Sequence, residues 1–306
     1  MLSHACGGPV FEALEDRLLL AGDVTATLSG KHGRLELLGD GVSNQLTLIH
    51  KDNGDLVIRG CNGTTINGQA KIELDAGLLS EVDIVLGRGR DNVAIQGLRV
   101  EFALDIRTGP GNDVVLLDEI RALGDIAIIT QQGNDKVTTK HVRLDGDLDI
   151  NTGDGASDIR MNQVVAYADM SILGGSQVDA IQILNTRIDE DLNIEPAGQN
   201  DEVVIDHSDV WGSFALDSGS GNDKVTAQYM RAGYDFSITA GAGDDLVTLT
   251  NLRAGHDIDI QTDPGNDKVR TSNVFAWNGA NVIGSNNGDD YFFIHVGSGG
   301  LVIVIT

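Results

Sequence analysis

A chain of 306 residues with a formal charge of −25 repels polyphosphate, which excludes nucleic acid as a natural partner. No run of 18 apolar residues is present, so no membrane-spanning helix is expected. The two cysteines, Cys6 and Cys61, are too few for a disulfide framework, and 39 glycines with only four prolines suit short strands joined by tight turns.

In chain order, residues 1–21 come first. No basic region precedes Leu18, Leu19, Leu20 and Ala21, and that apolar run is too short for a Sec signal. The stretch Phe11, Glu12, Ala13, Leu14, Glu15, Asp16, Arg17, Leu18, Leu19, Leu20, Ala21 resembles the LEPR-XLL motif near the N-terminus of many large secreted or surface bacterial proteins, with Asp16 where that motif has proline. The resemblance implies export and an extracellular or cell-surface location. The same residues also suit a short amphipathic helix with Leu14 and Leu18 on one face.

Residues 22–86 are rich in strand-like runs (24–28, 35–38, 46–49, 56–58) that fit no repeat. They are expected to form an N-terminal β-rich cap with a degenerate first coil, whose Val82 and Ile84 join the columns described next.

From residue 87 to 306 the chain repeats every 22 residues. Asp91, Asp113, Asp135, Asp179, Asp201, Asp223, Asp245 and Asp267 fall on one grid, Ser157 takes the missing point, and Asp290 follows one residue late. With the turn glycine (Gly109 and its equivalents) as position one and the aspartate as position five, position seven runs from Val93 through Val115, Ile159 and Val225 to Val269, and position nine is mostly apolar. Positions eighteen and twenty give pairs such as Ile126/Ile128, Phe214/Leu216 and Phe236/Ile238. Spacing by two is the strand period, and a 22-residue repeat marks a solenoid. The expected fold is all-β: a right-handed parallel β-helix of about ten coils, each with three short strands, making a rod roughly 48 Å long. At the far end Phe292, Ile294, Ile303 and Ile305 fit the columns after a one-residue insertion. The final apolar run 301–305 has no polar cap, so a partner, end-to-end self-association or a longer natural chain is expected.

The best turns read Gly-x-Gly-Asn-Asp-x-Val. Gly109, Gly111, Asp113 and Val115 resemble the second glycine, fourth glycine, aspartate and apolar position of the RTX calcium nonapeptide. That resemblance implies calcium held by Asp91, Asp113, Asp135, Asp179, Asp201, Asp223, Asp245, Asp267 and Asp290, with turn carbonyls completing six to eight oxygens. Here one motif occurs per coil, Ser157 interrupts the series, and Gln131 and Ala197 replace the leading glycine. Turn chemistry alone also accounts for the residues, since Gly, Asn and Asp accept left-handed backbone and bond neighbouring amides. A carboxylate column about 4.8 Å apart would then need other donors against its own repulsion.

Position thirteen carries Arg99, Arg121, Arg143, Arg187, Arg231 and Arg253, and position fifteen carries Tyr167, Trp211 and Trp277 on the same outward face. Arginines beside flat rings on a rigid surface suit an anionic polysaccharide. Local pairing is the alternative: Arg99/Glu101, Arg143/Asp145, Arg187/Asp189, or cation–π stacking on the rings. Position seventeen (Asp125, Asp147, Asp169, Asp191, Asp235, Asp257) reads as a further turn ladder. His141 and His207 stand three coils apart, too far to share a site. The function expected is a non-catalytic extracellular structural or adhesion rod, stabilised by calcium, with an anionic polysaccharide or a surface protein as partner. The alternative is a polysaccharide lyase or hydrolase, which would need a cleft that the regular array does not predict.

Overall fold

The computed structural model describes residues 22–30, 33–284, 291–293 and 300–305. They are all-β and helix-free, a parallel solenoid of about nine turns. The expected ten is corrected because the last interval is described only in its strands Tyr291–Phe293 and Gly300–Ile305.

A typical coil places strands at Val114–Asp118, Arg121–Ala122 and Ile126–Ile129. Each pairs in parallel with its equivalent 22 residues on, so Val115 lies on Val137, then Ile159, Ile181, Val203, Val225, Val247 and Val269. Positions eighteen and twenty stack likewise, from Leu104/Ile106 to Ile258/Ile260. These columns are buried, and each large apolar side chain removed from water contributes about 1.5–3 kcal/mol. Phe214 and Phe236 stack at 4.6 Å between centroids in successive coils.

Two corners bend the chain. At position one most coils are left-handed, at Gly109 (φ 89°) as at Gln131 (φ 72°) and Ala197 (φ 88°), Gly175 and Asp263 being exceptions. At position eleven every coil from Gly97 to Asn273 also has φ between 50° and 71°, using Glu119, His141, Gln163, Asn185, His207, Tyr229 and Asn251. Recurrence of this strained geometry in mostly non-glycine residues shows that stacking overrides local preference.

The N-terminal residues plug the solenoid with antiparallel hairpins. Arg34–Leu38 lies parallel on Leu79–Val85, with Leu35 against Val82 and Leu37 against Ile84, while its other edge pairs antiparallel with Asp23–Ser29. Val82 and Ile84 in turn sit under Leu104 and Ile106, as expected. Gln45–His50 lies parallel on Asn92–Gln96 and antiparallel to Asp55–Gly60, which pairs with Lys71–Asp75. Val24, Leu46, Leu48, Leu56, Ile58 and Ile66 are buried there and close the core.

At the C-terminal side Phe292 joins position seven opposite Val269, as the one-residue insertion requires. The last strand corrects an expectation: Leu301 and Ile303, not Ile303 and Ile305, lie opposite Ala280 and Val282. A slip of two residues keeps every side chain on its face, so the apolar pattern alone does not fix it. Ile294, Asp290 and residues 1–21 lie outside the described residues. Among those described, no helix is long and apolar enough to cross a membrane.

Candidate functional site

Positions five, seven and nine share one face of a strand, which turns the grid aspartates inward. Asp91, Asp113, Asp135, Asp179, Asp201, Asp223, Asp245 and Asp267 are 0–3 % exposed. Each Oδ1 accepts the amide of the residue one coil earlier: Asp91 N–H to Asp113 at 2.8 Å, Asp113 N–H to Asp135 at 2.8 Å, then Asp179 to Asp201, Asp201 to Asp223 and Asp223 to Asp245, each at 2.7 Å, and Asp245 to Asp267 at 2.8 Å. Asn44 of the cap starts the series, donating its amide to Asp91 Oδ1 at 2.6 Å. The structure thus supplies donors to a column expected to repel itself.

The second oxygen is the costly one. Oδ2 of Asp91, Asp201, Asp223 and Asp245 is buried without a hydrogen bond, and Thr108 Oγ1 faces the Asp113 carboxyl without closing an aligned bond. Burial pushes Asp91, Asp201 and Asp245 up to about 7 and Asp113 and Asp223 up to about 6, against the partial offset of the donated amides. Asp135 and Asp179 are raised for the same reason. Asp179 Oδ2 does find a donor, the Gly175 amide at 2.9 Å.

Calcium requires six to eight oxygens open to the ion. These carboxyls face the core and spend one oxygen on an amide, and no group of three or more His, Cys, Asp or Glu among the described residues is placed to hold a metal. Among the described residues, the eight grid aspartates do not fit the calcium ladder that the RTX resemblance implies.

Two outer ladders run the opposite way, each later coil donating to the earlier. At position four the amides of Asn134, Asn222, Asp244 and Asn266 reach Oδ1 of Asn112, Asn200, Asn222 and Asp244. At position seventeen Asp147, Asp169, Asp191 and Ser213 donate to Asp125, Asp147, Asp169 and Asp191, which is the turn ladder expected there.

The arginine and aromatic columns point outward together. Arg143 lies over the Tyr167 ring and Arg187 over Trp211, each at 4.7 Å, and Arg187 also grips Asp189 through Nε at 2.6 Å and a terminal nitrogen at 3.1 Å. Farther along, position fifteen is Gly233 and then Gly255. There Arg231, Arg253, Phe275 and Trp277 line a depression of about 340 Å³.

A larger cleft, about 1060 Å³, opens where the cap overhangs the array. Its walls include His50, Lys51, Arg99, Glu119, Arg121 and His141, together with exposed Ile49 and Leu78. His50 Nδ1 accepts the Arg99 amide at 3.3 Å. His141 Nδ1 is 2.9 Å from Asp118 Oδ1, and that carboxylate raises the His141 pKa. Sequence reasoning missed this place because His50 lies in the cap, outside the repeat. His207, the histidine paired with His141 by column, instead stacks on Tyr229 at 4.5 Å.

No family model, curated protein or solved structure matches the chain. The residues themselves carry the functional reading, and no relative adds to it.

Proposed function

We propose that the chain is a non-catalytic structural or adhesion rod of the cell exterior, held together by its own internal ladders with no need of calcium. The observation that supports this most is the unbroken 22-residue register from Asn92 to Ala276, in which outward acids and arginines repeat as columns. Catalysis calls for a base or nucleophile in a distinctive cleft, and a repeating column offers none. The strong negative charge and the LEPR-XLL resemblance of residues 11–21 favour an extracellular place. Incubation with alginate and pectin, followed by assay of released uronic-acid products, tests the reading; no release is expected.

The cap cleft favours a second reading, a polysaccharide-active β-helix, because it is an irregular wall bearing His50, Glu119, His141 and two arginines. Product release abolished by His141→Ala would establish that reading and overturn the first.

A further inference from the structure

The arginine column is not uniform. Arg143 is covered by Tyr167, and Arg187 is held by Asp189 and Trp211. Arg231 and Arg253 differ from these two: among the described residues neither, like Arg99 and Arg121 at the other end of the column, has a carboxylate within ion-pair distance or a ring beneath it, and both are exposed. The cause is local. Two residues on, where Arg187 has Asp189, stand Gly233 and Gly255, and a Cβ at either would meet the preceding coil's carbonyl oxygen at 1.9 Å. At 24 residues on, where Arg143 and Arg187 have their rings, Arg231 has Gly255, while Arg253 has Trp277, whose ring does not lie beneath it. The two glycines open about 14 Å of surface between Trp211 and Trp277, three coil spacings along the axis. Trp277 closes the gap at 75 % exposure, the highest among the exposed large apolar side chains, while Asp209 bounds the basic stretch on the other side.

Two unpaired guanidiniums on a chain of charge −25 form a local exception to the surrounding field. A guanidinium matches a carboxylate in bidentate geometry, and an exposed indole presents a flat apolar face to a sugar ring. We propose that the notch formed by Arg231, Gly233, Arg253, Gly255, Phe275 and Trp277 is a subsite for a short run of acidic pyranose residues. Arg231 and Arg253 bind successive carboxylates, and Trp277 stacks on one ring. The site deepens the adhesion reading and rests on it, since it would give the rod a ligand to hold.

The test is isothermal titration of the whole chain with tetragalacturonate, with cellotetraose and tetraglutamate as neutral and non-sugar comparisons. Saturable binding of tetragalacturonate alone is expected, weakened about tenfold or more by Arg231→Ala, Arg253→Ala or Trp277→Ala. Arg187→Ala, at a residue already engaged, should change it less than about twofold. Absence of binding at millimolar ligand, equal binding of either comparison compound, or full affinity in an Arg231→Ala/Arg253→Ala variant with an unchanged melting curve would overturn the proposal. Assay of uronic-acid release in the same samples separates the two claims: cleavage would sink the non-catalytic rod and leave the subsite standing.

Discussion

The Asp135 amide donates to the carbonyl of Ala156 at 3.0 Å, because the next coil carries Ser157 where the other coils present a carboxyl. Ser157 turns its hydroxyl to Thr152 Oγ1 at 2.8 Å and passes its own amide to Asp179 at 2.7 Å. The strand extends to begin at Asp135 and takes over the donor that the missing carboxylate would have served. One rung is thus exchanged for a backbone bond, and the ladder resumes in the next coil.

Stability should fall as pH rises from about 4 to about 7. The ladder carboxyls have folded-state values above the unfolded value of 3.8, at about 6 to 7 for Asp91, Asp113, Asp201, Asp223 and Asp245. A raised carboxyl keeps its proton in the folded state while the unfolded chain has lost it, so its contribution is full below the unfolded value and is lost through the folded one. Thermal melts across this window check it; a melting temperature that rises from pH 4.5 to 7.5 would sink the idea.

Asp113→Asn removes one ladder carboxyl while keeping its acceptor oxygen. The amide oxygen still accepts the Asp91 N–H, and the new N–H₂ faces Thr108 Oγ1. At pH 8 the variant should gain roughly 1–3 kcal/mol, because a tenfold difference in proton affinity between the folded and unfolded chain is worth about 1.4 kcal/mol. At pH 4 it should gain almost nothing. Asp113→Ala should lie about 1–3 kcal/mol below Asp113→Asn at both, because the Asp91 amide is left buried without an acceptor. Urea unfolding of both variants at each pH reads the difference.

Calcium should leave the melting curve where it is. An ion that bound the folded chain would raise the midpoint by mass action. Melts in EGTA and in millimolar calcium should agree, and a rise of more than about 3 °C would return a calcium site to consideration.

Glycine substitutions should sort by what stands opposite them. A Cβ at Gly133 (φ 141°) would lie 1.3 Å from the Gly111 carbonyl oxygen, whereas at Gly68 (φ 73°) nothing lies within 4 Å. Gly133→Ala should cost more than about 3 kcal/mol and Gly68→Ala about 1–2 kcal/mol, the left-handed strain alone. Chemical denaturation of the two variants side by side checks the contrast.

Architecture was readable from the sequence wherever a column combined the strand period with the 22-residue repeat, as Val115/Leu117 and Ile126/Ile128 do. The direction of the aspartates was readable too, since Asp113 lies two residues before Val115 and therefore on its inward face, but the resemblance of the turn directed attention to calcium. Position eleven was hidden because Glu119, His141 and Tyr229 are not turn-forming residues; the stack, not the residue, sets their backbone. The cap and its cleft were hidden for another reason. The antiparallel partners of Gln45–His50 follow from hairpins with no repeat to align them.

Each inner rung joins a coil only to its immediate neighbour, and apart from Ser157 aspartate meets aspartate from Asp91 to Asp267. A segment of 22 residues can therefore be inserted or removed between equivalent positions with each remaining amide still facing an acceptor. The gene for such a chain sets the rod's length as a ruler does, in whole divisions of about 4.8 Å, and duplication changes its reach without redesigning its core.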